Sequence, residues 1–86
     1  MEKNTPEKKF KVGGISATVW RNTVLRDGKQ DSYCTVSIER SYKDKQGAWQ
    51  RTNSFRTHDL PRAALVLQEA YKYVAFNDAI EKEVTV

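Results

Sequence analysis

Hydrophobic and polar positions alternate with a period of two along most of the first 57 residues, then change to a helical period. Phe10, Lys11 and Val12 alternate before Gly13-Gly14, a hairpin or bulge signal. From Ile15 to Val24, Ile15, Ala17 and Val19 fall on one face and Ser16, Thr18, Trp20 and Asn22 on the other. That stretch is rich in β-branched and aromatic residues and predicts a strand. Asp27-Gly28 marks the next turn. Ser32–Lys43 predicts a third strand, with Cys34, Val36 and Ile38 on one face and Tyr33, Thr35, Ser37 and Glu39 on the other. Asp44–Gly47 reads as a four-residue hairpin loop, and Ala48–Thr57 as a fourth strand whose small polar residues leave one face open to water or ligand. Asp59 is a favoured N-cap and Pro61 fits a first helical turn, so a helix is expected over Leu60–Phe76, with Asn77 able to close it. The predicted fold class is α+β: a four-stranded antiparallel meander followed by one C-terminal helix (ββββα). Residues 1–8 are expected to form a flexible tail, 9–77 the folded domain and 78–86 an extension. The pattern leaves that extension open between frayed helix, short strand and disorder.

The helix carries more apolar surface than one small sheet needs. Leu60, Ala64, Leu67, Tyr71 and Val74 share a face at about 100° per residue, and Ala63, Val66, Ala70 and Tyr73 widen it to roughly 200°. Sealing a sheet takes about half of that arc. The surplus either packs under a loop or meets a second chain, and a second copy is the more economical reading for a chain of 86 residues. A helix-mediated homodimer follows, with Val66, Ala70, Tyr73 and Val74 expected at its interface.

Composition narrows the function. At 86 residues, with 38% hydrophobic and 30% charged positions, the chain supports one domain with a thin core. The sequence has no apolar run near the ~20 residues of a membrane helix and no signal-like opening. A soluble protein is expected, either cytoplasmic and nucleoid-associated or nuclear. Cys34 is the sole cysteine and His58 the sole histidine, so neither a disulfide nor a thiolate metal cage is available within the chain. No metal or cofactor is expected. The net charge of +4 conceals an asymmetry: residues 8–56 hold eleven basic and four acidic side chains, whereas residues 57–86 hold three and five. A concentrated positive field is the footprint of a polyanion partner. A solvated surface tuned for solubility is the plainer alternative.

Catalytic constellations are harder to find. His58 and Asp59 are neighbours at a strand-to-helix junction, where Asp59 has a capping role and His58 reads as a surface residue. Cys34 lies on the apolar face of its strand and behaves as a small hydrophobe. Gly13-Gly14 lacks the spacing and the following helix of a phosphate-binding loop. The expectation is a binding protein, not an enzyme. Aromatic and basic residues mingle on the strands: Lys11, Trp20, Arg21, Tyr33, Arg40, Tyr42, Lys43, Lys45, Trp49, Arg51 and Arg56. Unpaired bases stack on aromatic rings while Lys and Arg neutralise the phosphates between them, and no arginine-loaded helix stands ready for a major groove. For each tryptophan alone, a core or dimer-seam role is an equal alternative.

The stretches FKVGG, ISATVWRN, YCTVSIERSYKDKQGAW and FRTHDLPRA, within residues 10–76, resemble the single-stranded-DNA-binding domain of the eukaryotic coactivator family positive cofactor four, a whirly-like fold. The resemblance implies four strands and a helix, a homodimer joined through helices and strands, and grooves for single-stranded or melted DNA with little sequence preference. It sets Tyr42 where that family has a DNA-contacting tryptophan, and Arg21 at a second-strand arginine. The family's second-strand aromatic is replaced around Thr23-Val24, leaving Trp20 and Trp49 to compensate.

The expected function is sequence-nonspecific binding of single-stranded DNA by a small homodimer, in support of transcription, replication or repair. An RNA-binding or RNA-chaperone domain shares every feature named, and a protein-interaction module would use the wide helix face on another partner. Strand parity leaves one question open: Arg40 and Tyr42 share the phase of Cys34, Val36 and Ile38, whereas Tyr33 has the opposite phase.

Overall fold

A computed structural model describes the backbone of residues 3–85 and the side chains of residues 4–77. The chain runs β1 (Lys3–Val12), β2 (Ile15–Arg26), β3 (Lys29–Lys43), β4 (Trp49–Thr52), a 3-10 turn (Thr57–Asp59) and α1 (Leu60–Thr85). The strands form one antiparallel sheet in the order β1-β2-β3-β4. This is the α+β meander-plus-helix layout that the periodicity predicts. No described helix is long and apolar enough to cross a membrane.

The element ends differ from the sequence reading. β1 begins at Lys3, so residues expected to be a loose tail pair with β2 from Lys3↔Thr23 onward. Polar, lysine-rich residues suit this edge strand because half of its surface faces water, and Pro6 is tolerated because an edge strand leaves some N–H groups without ladder partners. β4 is only Trp49–Thr52, shorter than Ala48–Thr57. Asn77 does not close the helix, which continues through residues 78–85.

The Gly13-Gly14 turn and a bulge in β1 set how the first strands meet the rest of the fold. Gly13 adopts φ +61°, and a Cβ on Gly14 would lie 2.8 Å from the Ser41 carbonyl oxygen. Gly14 thus lets β1–β2 approach β3 closely enough for Ser41 N–H to donate to the Gly14 carbonyl at 2.7 Å. Between Pro6 and Lys8 the β1–β2 register shifts, and Glu7 is the extra residue. The Glu7 carboxylate takes both Arg21 Nε and Nη2 at 3.0 Å and accepts the Tyr73 hydroxyl at 3.0 Å, tying β1 and β2 to α1.

The core is small. Ile15, Ala17 and Val19 of β2 meet Ala63, Val66 and Ala70 of α1, with Phe10, Val12, Cys34, Ile38, Phe55, Tyr73 and Val74 packed around them. Alanines at the contact let helix and sheet approach closely. Val66 and Ala70 are 0% exposed within the single chain. They are therefore not available to a second copy, which corrects their expected place at a dimer interface. Tyr73 is likewise engaged by Glu7 and by the Phe10 ring at 6.2 Å. The side of α1 that stays outward carries Leu60, Ala64, Leu67 and Tyr71, with Tyr71 71% exposed.

Candidate nucleic-acid interface

The sheet register sorts the candidate residues onto two faces, because directly paired residues of antiparallel strands project to the same side. β2 and β3 pair without a shift from Ile15↔Arg40 to Arg26↔Lys29. Arg40 and Tyr42 therefore stay on the helix side with Ile38, and Tyr33 stays on the opposite, open side. No bulge merges the two sets.

The open face takes Lys9 and Lys11 from β1, Ser16, Thr18, Trp20 and Asn22 from β2, and Tyr33, Thr35, Ser37, Glu39, Ser41 and Lys43 from β3. β4 adds Trp49 opposite Lys43 and Arg51 opposite Ser41. Ser16 and Thr18 are buried, short side chains flanked by the longer Lys9, Lys11 and Glu39. The centre of this face is thus a low hydroxyl-lined floor between longer flanking chains. Trp20 donates its Nε1–H to Ser37 Oγ at 2.8 Å, and Asn22 Nδ2 donates to Thr35 Oγ1 at 3.0 Å. Each hydroxyl still has its own O–H to donate. The half-buried Trp20 is fixed in place, whereas Trp49 is 68% exposed with Lys43 Nζ 5.6 Å from its ring centroid.

Asp44 shapes the hairpin that presents Lys43 and Trp49. Its Oδ1 accepts the backbone N–H groups of Gln46 and Ala48 at 2.9 Å, and its Oδ2 accepts Gln50 Nε2 at 3.0 Å. The Ala48 and Gln50 donors, together with Gln46, hold the Asp44 carboxyl below its ordinary pKa. Lys45 lies at the exposed tip of this loop.

Four expected contact residues, Arg21, Arg40, Tyr42 and Arg56, stand elsewhere. Arg21 faces the helix side in its bidentate pair with Glu7, whose carboxyl it holds below the usual range. Arg40 is nearly buried: its Nε donates to the Ser54 carbonyl at 3.1 Å and lies 3.4 Å from Asp59 Oδ2, and its guanidinium covers the Tyr42 ring at 5.3 Å. Arg56 Nε donates to the same Asp59 oxygen at 3.0 Å. Arg40 is therefore corrected from a phosphate contact to an internal counter-charge. Asp59 itself is 2% exposed. Its carboxylate turns back to Arg56, including the Arg56 backbone N–H at 3.0 Å, and chiefly that side-chain bond depresses its pKa. His58 is exposed, with Nε2 3.8 Å from Asp59 Oδ1.

Sequence reasoning missed Lys9. Its signal was the Lys9-Phe10-Lys11 alternation, which places both lysines on one face once β1 is recognised as a full strand. No family model, no curated protein and no solved structure matches this chain.

Proposed function

We propose that this protein binds single-stranded DNA without sequence preference, along the open face of its sheet, and does so as a homodimer. One observation carries the reading: Lys9, Lys11, Lys43 and Arg51 share a face with Trp20, Tyr33 and Trp49 over a Ser/Thr floor. Lysine and arginine neutralise phosphates, rings accept unstacked bases, and hydroxyls donate to phosphate or sugar oxygens. A flat sheet face with scattered rings suits a flexible strand better than a rigid duplex, whose bases are already stacked. The resemblance to positive cofactor four supports the same reading, with a different residue set: Tyr42 and Arg40 lie on the helix side, so the stacking falls to Trp20, Tyr33 and Trp49.

The dimer rests on the outward helix stripe. Leu60, Ala64, Leu67 and Tyr71 follow each other at intervals of four and three, the spacing of a helix–helix seam. Val36, on the helix side of β3, is also exposed, because α1 packs mainly over β1 and β2. Pairing two copies through these residues hides the apolar stripe and leaves both open faces to solvent.

Titrating the protein with an oligothymidylate while following tryptophan emission tests the binding. Quenching at low salt that weakens steeply as salt rises is the expected result, because counterion release drives such binding. An unchanged emission and an unchanged oligonucleotide anisotropy at low salt would sink the reading. Competition by an oligouridylate of equal length, if it displaced the DNA at lower concentration, would assign RNA as the partner.

A further inference from the structure

The open face contains one concavity set apart from its shallow floor. Lys11, Ser41, Trp49, Gln50 and Arg51 line a hollow of about 350 Å³ at the β4 end of the sheet. Small-molecule sites span about 300–1,000 Å³, so this one is sized for a single heterocycle with its sugar phosphate and not for a length of chain. One wall is the Trp49 indole. Lys43 covers one face of that ring at 5.6 Å, which leaves the other face for a ligand. The rim supplies positive charge from Lys11 and Arg51. Among the described residues Arg51 makes a long ion pair, Nη1 to Glu39 Oε1 at 3.8 Å, with its own side chain largely in solvent, and an incoming phosphate can displace it at little cost.

The hollow is also preorganised. Asp44 fastens the loop between β3 and β4 through three accepted hydrogen bonds, and so fixes the two arms that carry Lys43 and Trp49. Trp20 lies across from Thr35, eight residues along β3 from Lys43, or about 26 Å. One nucleotide cannot touch both indoles.

We propose that this hollow is a mononucleotide subsite within the strand-binding face. One unpaired base stacks on the open side of Trp49, its phosphate lies between Lys11 and Arg51, and Asp44 acts as the positioning residue. The proposal rests on the single-strand reading of the open face.

A Trp20→Phe variant isolates Trp49 as the sole indole. Its emission is followed while unlabelled thymidylate dodecamer is added, and a fluorescein-labelled copy of the same oligonucleotide reports binding by anisotropy. The expected result is quenching of Trp49 in step with the anisotropy rise. Trp49→Ala, checked by circular dichroism, should weaken binding by about 5- to 150-fold, the range expected for one stacked base. Asp44→Ala should weaken binding in the Trp49 background and change little once Trp49 is alanine. Binding by anisotropy with steady Trp49 emission and an unaffected Trp49→Ala variant overturns the subsite and leaves the broader reading intact. Silence in both signals overturns both.

Discussion

Removing the Asp59 carboxylate would leave Arg40, a nearly buried cation, without its counter-charge. Losing one partner of a buried pair costs far more than losing both, because the remaining charge stays desolvated. Asp59→Ala should therefore lower the melting temperature more than Arg56→Ala, whose guanidinium is largely solvated. Adding Arg40→Met to Asp59→Leu should restore part of the loss in the same thermal melts. Acid should act through the same class of group. Glu7, Asp44 and Asp59 all have folded-state pKa values below their ordinary ones, held there by Arg21, by Ala48 N–H and by Arg56 respectively. A depressed carboxyl contributes stability above its unfolded pKa of about 4, and loses it as pH falls through the folded value. The melting temperature should be level near neutrality and fall below about pH 4, and Glu7→Gln should flatten part of that acid limb. A melt profile insensitive to pH down to 3 would show that these carboxylates are not held as described.

At the scale of elements, the Gly13-Gly14 turn decides how β1 and β2 meet β3. Gly14→Ala would push a methyl carbon against the Ser41 carbonyl oxygen, a backbone atom that cannot swing away. The expected outcome is loss of the Ser41–Gly14 hydrogen bond and a destabilisation of about 1–3 kcal/mol, read from urea unfolding. Gly28→Ala meets no atom within 4 Å and is strained only through its φ of +75°, so it should cost less. The helix divides its labour along its circumference. Ala63, Val66 and Ala70 seal the sheet, while Leu60, Leu67 and Tyr71 point away from it. Leu67→Glu should leave the helical signal in circular dichroism unchanged and halve the mass measured by light scattering. A wild-type mass equal to one subunit would remove the dimer at once.

The whole molecule is a long, thin plate, 51 × 28 × 15 Å, with two unlike sides. Its length is that of β3, since 15 extended residues span about 50 Å. One side is apolar under and beside the helix; the other is basic, hydroxylic and ringed with aromatics. Lys9, Lys11, Lys43 and Arg51, the open-face cations that flank the Ser/Thr floor, set the expected salt dependence. Each subunit neutralising four phosphates gives a slope of log K against log salt of about −3 for a single strand. Lys11→Ala should reduce that slope by about 0.7, whereas Arg40→Ala should leave it and instead lower the melting temperature. An Arg40 variant that folds normally and loses salt dependence would return the binding surface to the helix side.

The alternation from Phe10 to Lys43, the turn signals and the change of period at Asp59 determined four strands followed by one helix, and the parity of the residues in β2 and β3. Those are local matters, since side chains alternate wherever a strand forms and apolar stripes repeat wherever a helix does. Parity already separated Tyr33 from Arg40 and Tyr42, but nothing local shows whether a bulge intervenes, and the unbroken β2–β3 register decided that. Tertiary structure also decided which part of a 200° apolar arc faces inward, because Glu7, displaced by a bulge, draws Tyr73 and that edge of the helix toward β1. It turned Arg40 from a surface charge into a nearly buried one, since Asp59 approaches it across 19 positions of sequence that no short-range pattern connects. Periodicity is written residue by residue, whereas the pairing of distant charges and the choice between two apolar faces emerge only when the elements compete for the same space.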